Sequence, residues 1–143
     1  MLVGYPAGRM LDLVNDIASY PEFLPWCTGA EVIHETEDTL RATLKIGYKG
    51  IRQQFSTRNR TTEPDDDSPA SIIMTLVDGP FRSLHGQWVF KALNEEACKI
   101  EFTLRYDFSS KLLEKVIGPA FNYIANSFVD AFVRRANALY GKR

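Results

Sequence analysis

The feature that most constrains the fold is a long amphipathic stretch over residues 109–140. Leu113, Ile117, Ala120, Ile124, Phe128 and Ala131 recur at 3/4 spacing, the period of one helix face. Phe121, Ala125, Phe132, Ala136 and Leu139 form a neighbouring stripe, and Asn122, Asn126, Asp130, Arg134 and Asn137 occupy the opposite face. The spacing predicts one helix of roughly 30 residues, or about 45 Å at 1.5 Å per residue. Ser109 or Ser110 suits its N-cap, Arg134 and Arg135 suit the negative end of its dipole, and Gly141 suits its stop. Asp130 and Arg134 stand four residues apart and so are placed to pair. Gly118-Pro119 interrupts the pattern. Proline lacks a backbone donor and clashes with the preceding turn, so a kink or short break is expected, with the straight part beginning near Pro119.

Two apolar stripes of that length need an equally long apolar partner, and the preceding sequence supplies strands. Cys98, Ile100, Phe102, Leu104, Tyr106 and Phe108 alternate with Lys99, Glu101, Thr103, Arg105 and Asp107, the period of a half-buried strand. Further strands are expected at residues 31–37, 40–46, 52–62, 71–77 and 83–93. Glu37-Asp38 links the first two as a hairpin. In the third, Phe55 and Thr57 oppose Gln54, Ser56 and Arg58; in the fifth, Leu84, Gly86, Trp88 and Phe90 share a face. Asp78-Gly79-Pro80 and Asn94-Glu95-Glu96 are turns, and the acidic, proline-flanked residues 63–69 are a solvated loop. Before the strands, Met10, Leu13, Val14 and Ile17 mark a helix after Pro6. Tyr20-Pro21 and Leu24-Pro25 then cut residues 17–26 into one or two short helices ending in a turn. This order is α+β, with helices on one face of an antiparallel sheet. The 143 residues fit one domain. A twisted sheet curls around such a helix, and any space it leaves unfilled is an apolar cavity.

The residues carry little chemistry. Among the motifs absent are Gly-x-Ser-x-Gly, His-Glu-x-x-His, the P-loop and the dinucleotide fingerprint. His34 and His85 alternate with neighbours in a way that points them outward. Glu101, Arg105 and Asp78 are the remaining acid/base candidates and read as ordinary surface charge. Cys27 and Cys98 have no metal spacing and are expected free and reduced. The chain is therefore expected to be no enzyme and to use no metal or cofactor. With 17 Lys and Arg against 18 Asp and Glu, no excess of positive charge favours DNA. Contact with RNA would need a local patch, for which Arg52, Arg58, Arg60, Arg134, Arg135, Lys142 and Arg143 are candidates. No signal pattern opens the sequence and no apolar run reaches a membrane span of about 20 residues. A cytoplasmic protein is expected, in contact with the inner membrane at most peripherally. One segment is unusual: Tyr20-Pro21-Glu22-Phe23-Leu24-Pro25-Trp26-Cys27 concentrates three aromatics and two prolines. It reads either as a corner of the core or as the mouth of an apolar site. The turn at Asp78-Gly79-Pro80-Phe81-Arg82 likewise sets a large apolar residue in a loop.

At these residues the sequence resembles a known family. The Tyr20–Cys27 segment, Leu76-Val77-Asp78-Gly79-Pro80-Phe81, Gly86-Gln87-Trp88 and Ala131-Phe132-Val133-Arg134-Arg135-Ala136 are similar to the bacterial branch of the START-like superfamily. That branch joins coenzyme Q-binding proteins of respiratory membranes with the ribosome association toxin and is often labelled polyketide cyclase/dehydrase. The similarity runs from about Val3 to Tyr140. It implies a helix-grip (START/Bet v 1-like) fold with a cavity between the sheet and the C-terminal helix. It further implies binding of ubiquinone or a similar polyprenyl lipid in support of respiration. The alternative it carries is the toxin's role, binding the large ribosomal subunit and blocking subunit joining; a polyketide cyclase-like enzyme is a third. The expected walls of the cavity are Tyr20, Phe23, Leu24, Pro25, Trp26, Phe81, Trp88, Phe102, Phe121, Ile124, Ala125 and Phe128. Family members usually begin with a longer first strand; here Met1 to Tyr5 stands in its place, with Gly4 at the proline position, so that strand is expected to be short.

Overall fold

The computed structural model describes residues 1–65 and 68–141. The chain runs β1 (Leu2–Val3), α1 (Ala7–Asn15), a 3-10 helix (Ile17–Glu22), β2 (Cys27–His34), β3 (Thr39–Tyr48), β4 (Ile51–Thr62), β5 (Ala70–Asp78), β6 (Phe81–Ala92), β7 (Cys98–Phe108) and α2 (Lys111–Tyr140). The strands form one antiparallel sheet in the order β1-β7-β6-β5-β4-β3-β2, curved around α2 as the helix-grip expectation required. β1 is indeed short: Leu2 and Val3 pair with Lys99 and Cys98. No helix among the described residues is long and apolar enough to cross a membrane.

Strand alternation puts one face of every long strand against the helices. Leu40, Ala42, Leu44 and Ile46 of β3, Phe55 of β4, Ile72 of β5, and Leu84, Trp88 and Phe90 of β6 are all buried. From α2, Ile117, Ala120, Phe121, Ile124, Phe128, Phe132 and Ala136 meet them. Met10, Leu11, Leu13 and Val14 of α1 close the same core. Ser110 caps α2, its side chain accepting a hydrogen bond from the Leu113 amide.

Four local expectations are corrected. The strand expected at 31–37 is Cys27–His34, because the Glu35 and Thr36 amides both donate to the Thr39 carbonyl and turn the chain back. α2 runs without interruption through Gly118-Pro119. Pro119 and Lys115 both lie on the exposed face, where water can replace the backbone hydrogen bond that the ring removes. Leu139, placed by spacing on an apolar stripe, is exposed near the helix end. Nor do the ion pairs among the described residues join Asp130 to Arg134; it is Arg135 that reaches a carboxylate, on Glu22. Asp66, Asp67, Lys142 and Arg143 lie outside the described residues.

Candidate functional site

The helix–sheet interface is built of rings. Phe128 lies at its centre, with ring centroids 5.0 Å from Phe132, 5.5 Å from Phe102, 5.7 Å from Trp88, 6.0 Å from Trp26 and 6.3 Å from Tyr20. Two turns earlier on α2, Phe121 packs against Tyr106, Phe81 and Phe55 at 4.7, 4.9 and 5.8 Å. Most of these contacts are edge-to-face or tilted, the arrangement that ring quadrupoles favour. Tyr106 also donates a hydrogen bond from its hydroxyl to Asn122, tying β7 to α2.

Little room is left between the two groups of rings. One void of about 30 Å³ is lined entirely by apolar residues: Trp26, Leu44, Phe55, Met74, Leu84, Phe102, Leu104, Phe121, Ile124, Ala125 and Phe128. A second, of about 20 Å³, shares Leu44, Met74 and Phe128 with the first and adds Tyr20, Trp88, Thr57 and Asn59. Thr57 and Asn59 are buried and satisfy each other, the Thr57 hydroxyl donating to Asn59 Oδ1 at 2.7 Å. Each void has space for about one or two waters. Pockets for drug-sized ligands run to roughly 300–1,000 Å³.

The expected cavity walls divide accordingly. Trp26, Phe102, Phe121, Ile124, Ala125 and Phe128 line the larger void; Tyr20, Trp88 and again Phe128 line the smaller. Phe23, Leu24, Pro25 and Phe81 line neither. Phe23 lies between Tyr20 and Phe132, with the Arg135 guanidinium 5.0 Å over its ring and Arg135 also reaching Glu22 at 3.5 Å. Leu24 is fully buried, and Pro25 is exposed. Phe81 is packed into the Phe121 group. Leu44, Phe55, Met74, Leu84 and Leu104 were missed as walls, although strand alternation put each on the inward face.

Among the described residues, no Asp, Glu, Lys, Arg or His lines these voids. The Tyr20 hydroxyl donates to the Val14 carbonyl, and burial, with Cys27 and Asp16 nearby, pushes its pKa up. Burial also raises the Cys27 and Cys98 thiols, so neither is primed as a thiolate. His34, His85, Asp78, Glu101 and Arg105 are exposed, and Glu101 pairs with Lys99 at 3.3 Å. Among the described residues no three His, Cys, Asp or Glu side chains are grouped to hold a metal. The larger concavity lies elsewhere: an open groove of about 840 Å³ beside the β3–β4 hairpin, bordered by Lys45, Lys49 and Arg52.

The fold is shared with solved structures. An aromatase/cyclase from Streptomyces superposes with a TM-score of 0.75 at 15% identity, covering 99% of this chain and 94% of that one. A START superfamily protein from Mycobacterium smegmatis gives 0.70 at 18%, covering 97% and 94%. At those identities the likeness shows the fold alone. Among sequence relatives, the ribosome association toxin RatA of Pseudomonas aeruginosa is 47% identical over 98% of this chain and 94% of that protein. RatA of Escherichia coli K12 is 44% identical over 99% and 87%. The mitochondrial coenzyme Q-binding protein COQ10 homolog B of Xenopus laevis is 23% identical over 99% of this chain and 58% of that protein. The family described as polyketide cyclase / dehydrase and lipid transport matches residues 3–133, nearly the whole length, and the chain belongs to that family.

Proposed function

We propose that this chain acts on the ribosome, binding the large subunit and opposing subunit association. The observation that carries this reading is the 44–47% identity, over 98–99% of the chain, to proteins named ribosome association toxin. The geometry agrees with it. The helix–sheet interface holds voids of only about 30 and 20 Å³, far below what a polyprenyl quinone fills, while an open groove of about 840 Å³ lies beside the β3–β4 hairpin. The expected order of readings, quinone binding first and ribosome second, is therefore reversed. Overexpression followed by sucrose-gradient sedimentation tests the proposal: free subunits accumulate at the expense of joined ribosomes. An unchanged profile counts against it.

A second reading, an apolar ligand between sheet and α2, has one specific support: every residue lining the larger void is apolar. Such a ligand has to displace Phe128 or Met74. Mass spectrometry of organic extracts of the purified protein checks this, and a stoichiometric bound quinone or lipid would favour it.

A further inference from the structure

We propose that the tip of the β3–β4 hairpin is a docking groove for the phosphate backbone of ribosomal RNA, with Lys49 and Arg52 as its main contacts. The proposal rests on the ribosomal reading above and names the surface that would serve it. The groove's lining contains three cations, Lys45, Lys49 and Arg52, and no carboxylate. That balance is local, because the chain as a whole carries a net charge of −1.

Farther along β3 and β4, the cations that face the same way have acids in reach. Arg41 and Arg58 share Glu35, at 3.5 and 2.7 Å, and Arg60 faces Asp38 at 3.7 Å. At the tip, only Lys45 has an acid in reach, Glu31 at 3.7 Å. Among the described residues, Lys49 and Arg52 take part in no ion pair. Uncompensated Lys and Arg that displace counterions from a polyanion are what sequence-independent RNA affinity is made of.

The tip is a tight turn tied to α2. Tyr48 pairs with Ile51, leaving Lys49-Gly50 as a two-residue turn with φ of 48° and 81°. Positive φ at both positions is the type I′ geometry that matches strand twist. Tyr48 stacks on Tyr123 of α2, centroids 5.3 Å apart and planes 12° apart, which ties the tip to the long helix. Lys45 faces Gln54 and Gly47 faces Arg52 across the strands, so Lys45 and Arg52 are diagonal neighbours, about 7–8 Å between Cα atoms. Between them the Thr28 side chain lies against Gly47, where a Cβ would come within 2.7 Å of Thr28 Cγ2. A concave cationic groove suits a polymer backbone better than the plane of an anionic bilayer.

The test uses the full chain, purified large ribosomal subunits, protein-free RNA extracted from them, and phosphatidylcholine/phosphatidylglycerol vesicles. Lys49→Glu/Arg52→Glu is compared with wild type and with Lys91→Glu, an exposed cation of β6 outside the groove, after thermal melts show all three folded. The expected result is that the double variant binds subunits and free RNA roughly 10- to 100-fold more weakly at about 100 mM salt. Its slope of log affinity against log salt is shallower by about 2, while Lys91→Glu matches wild type. Unchanged binding of the double variant to subunits overturns the groove and leaves the ribosomal reading standing. A loss seen with vesicles and not with RNA also overturns it. Wild type that ignores subunits while binding free RNA through the groove overturns the ribosomal reading and supports the groove; binding to neither overturns both.

Discussion

The inner and outer faces of β3 and β4 share one backbone and differ in nearly everything else. Inside, Leu44 and Phe55 join Phe121, Ile124, Ala125 and Phe128 of α2 around a void of about 30 Å³. Outside, Lys45, Arg52 and Gln54 border a groove of about 840 Å³. The resemblance implied a ligand cavity between sheet and helix, but in this chain the space found there is two small voids among aromatic and aliphatic side chains. What the contrast teaches is that a shared fold does not fix where a protein keeps its free surface: here the interior serves packing, and room for a partner lies at the hairpin tip.

The largest test of this contrast is Phe128→Ala. Phe128 touches five other rings, so its removal should cost about 3–5 kcal/mol in urea unfolding. A loss below about 1 kcal/mol would mean that the interface closes up easily, and a ligand space could then open there after all. Next is Gly79→Ala, at the turn between β5 and β6. Gly79 has φ of +147°, and a Cβ there would stand 2.7 Å from Phe55 Cβ, so the inner wall must shift. The expected cost is about 1–3 kcal/mol, read from the thermal midpoint. An unchanged midpoint would show the Phe55 wall to be soft.

The smallest effect belongs to the outer face. The Arg58 guanidinium, hydrogen-bonded to Glu35, holds that carboxyl below its usual range, with Arg41 adding to the effect. A depressed carboxylate pKa stabilises the fold above the ordinary value of about 4.3, and that contribution is lost as pH falls through the folded value. The midpoint advantage of wild type over Glu35→Gln should therefore be present at neutral pH and shrink to nothing in acid. An advantage that does not change with pH would show that the ion pair contributes nothing.

The sequence was most legible where the signal is local. The two stripes of α2 and the alternation of β7 repeat over many residues, and both elements formed as the periods require. The Gly118-Pro119 break was misread because proline's penalty depends on whether the Lys115 carbonyl meets water, which is set by tertiary placement. The start of β2 was hidden because the irregularity between Cys27 and Gly29 interrupts alternation where the strand begins. Ring-rich walls around Phe128 could be named from the sequence, yet the amount of space among them could not, since it depends on how rings from β4, β6, β7, the Trp26 turn, the 3-10 helix and α2 interlock. At the tip, Arg52 stood out as a cation, whereas Lys45 joins it only through cross-strand register, which no single segment reveals.

The central claim is that this chain acts on ribosomal subunits and not as a quinone carrier. Light scattering of purified small and large subunits, mixed under association conditions with a molar excess of the protein, tests it most directly. The account predicts that scattering stays near the level of separate subunits and recovers when the protein is diluted out. Full joining in the presence of excess folded protein would contradict it.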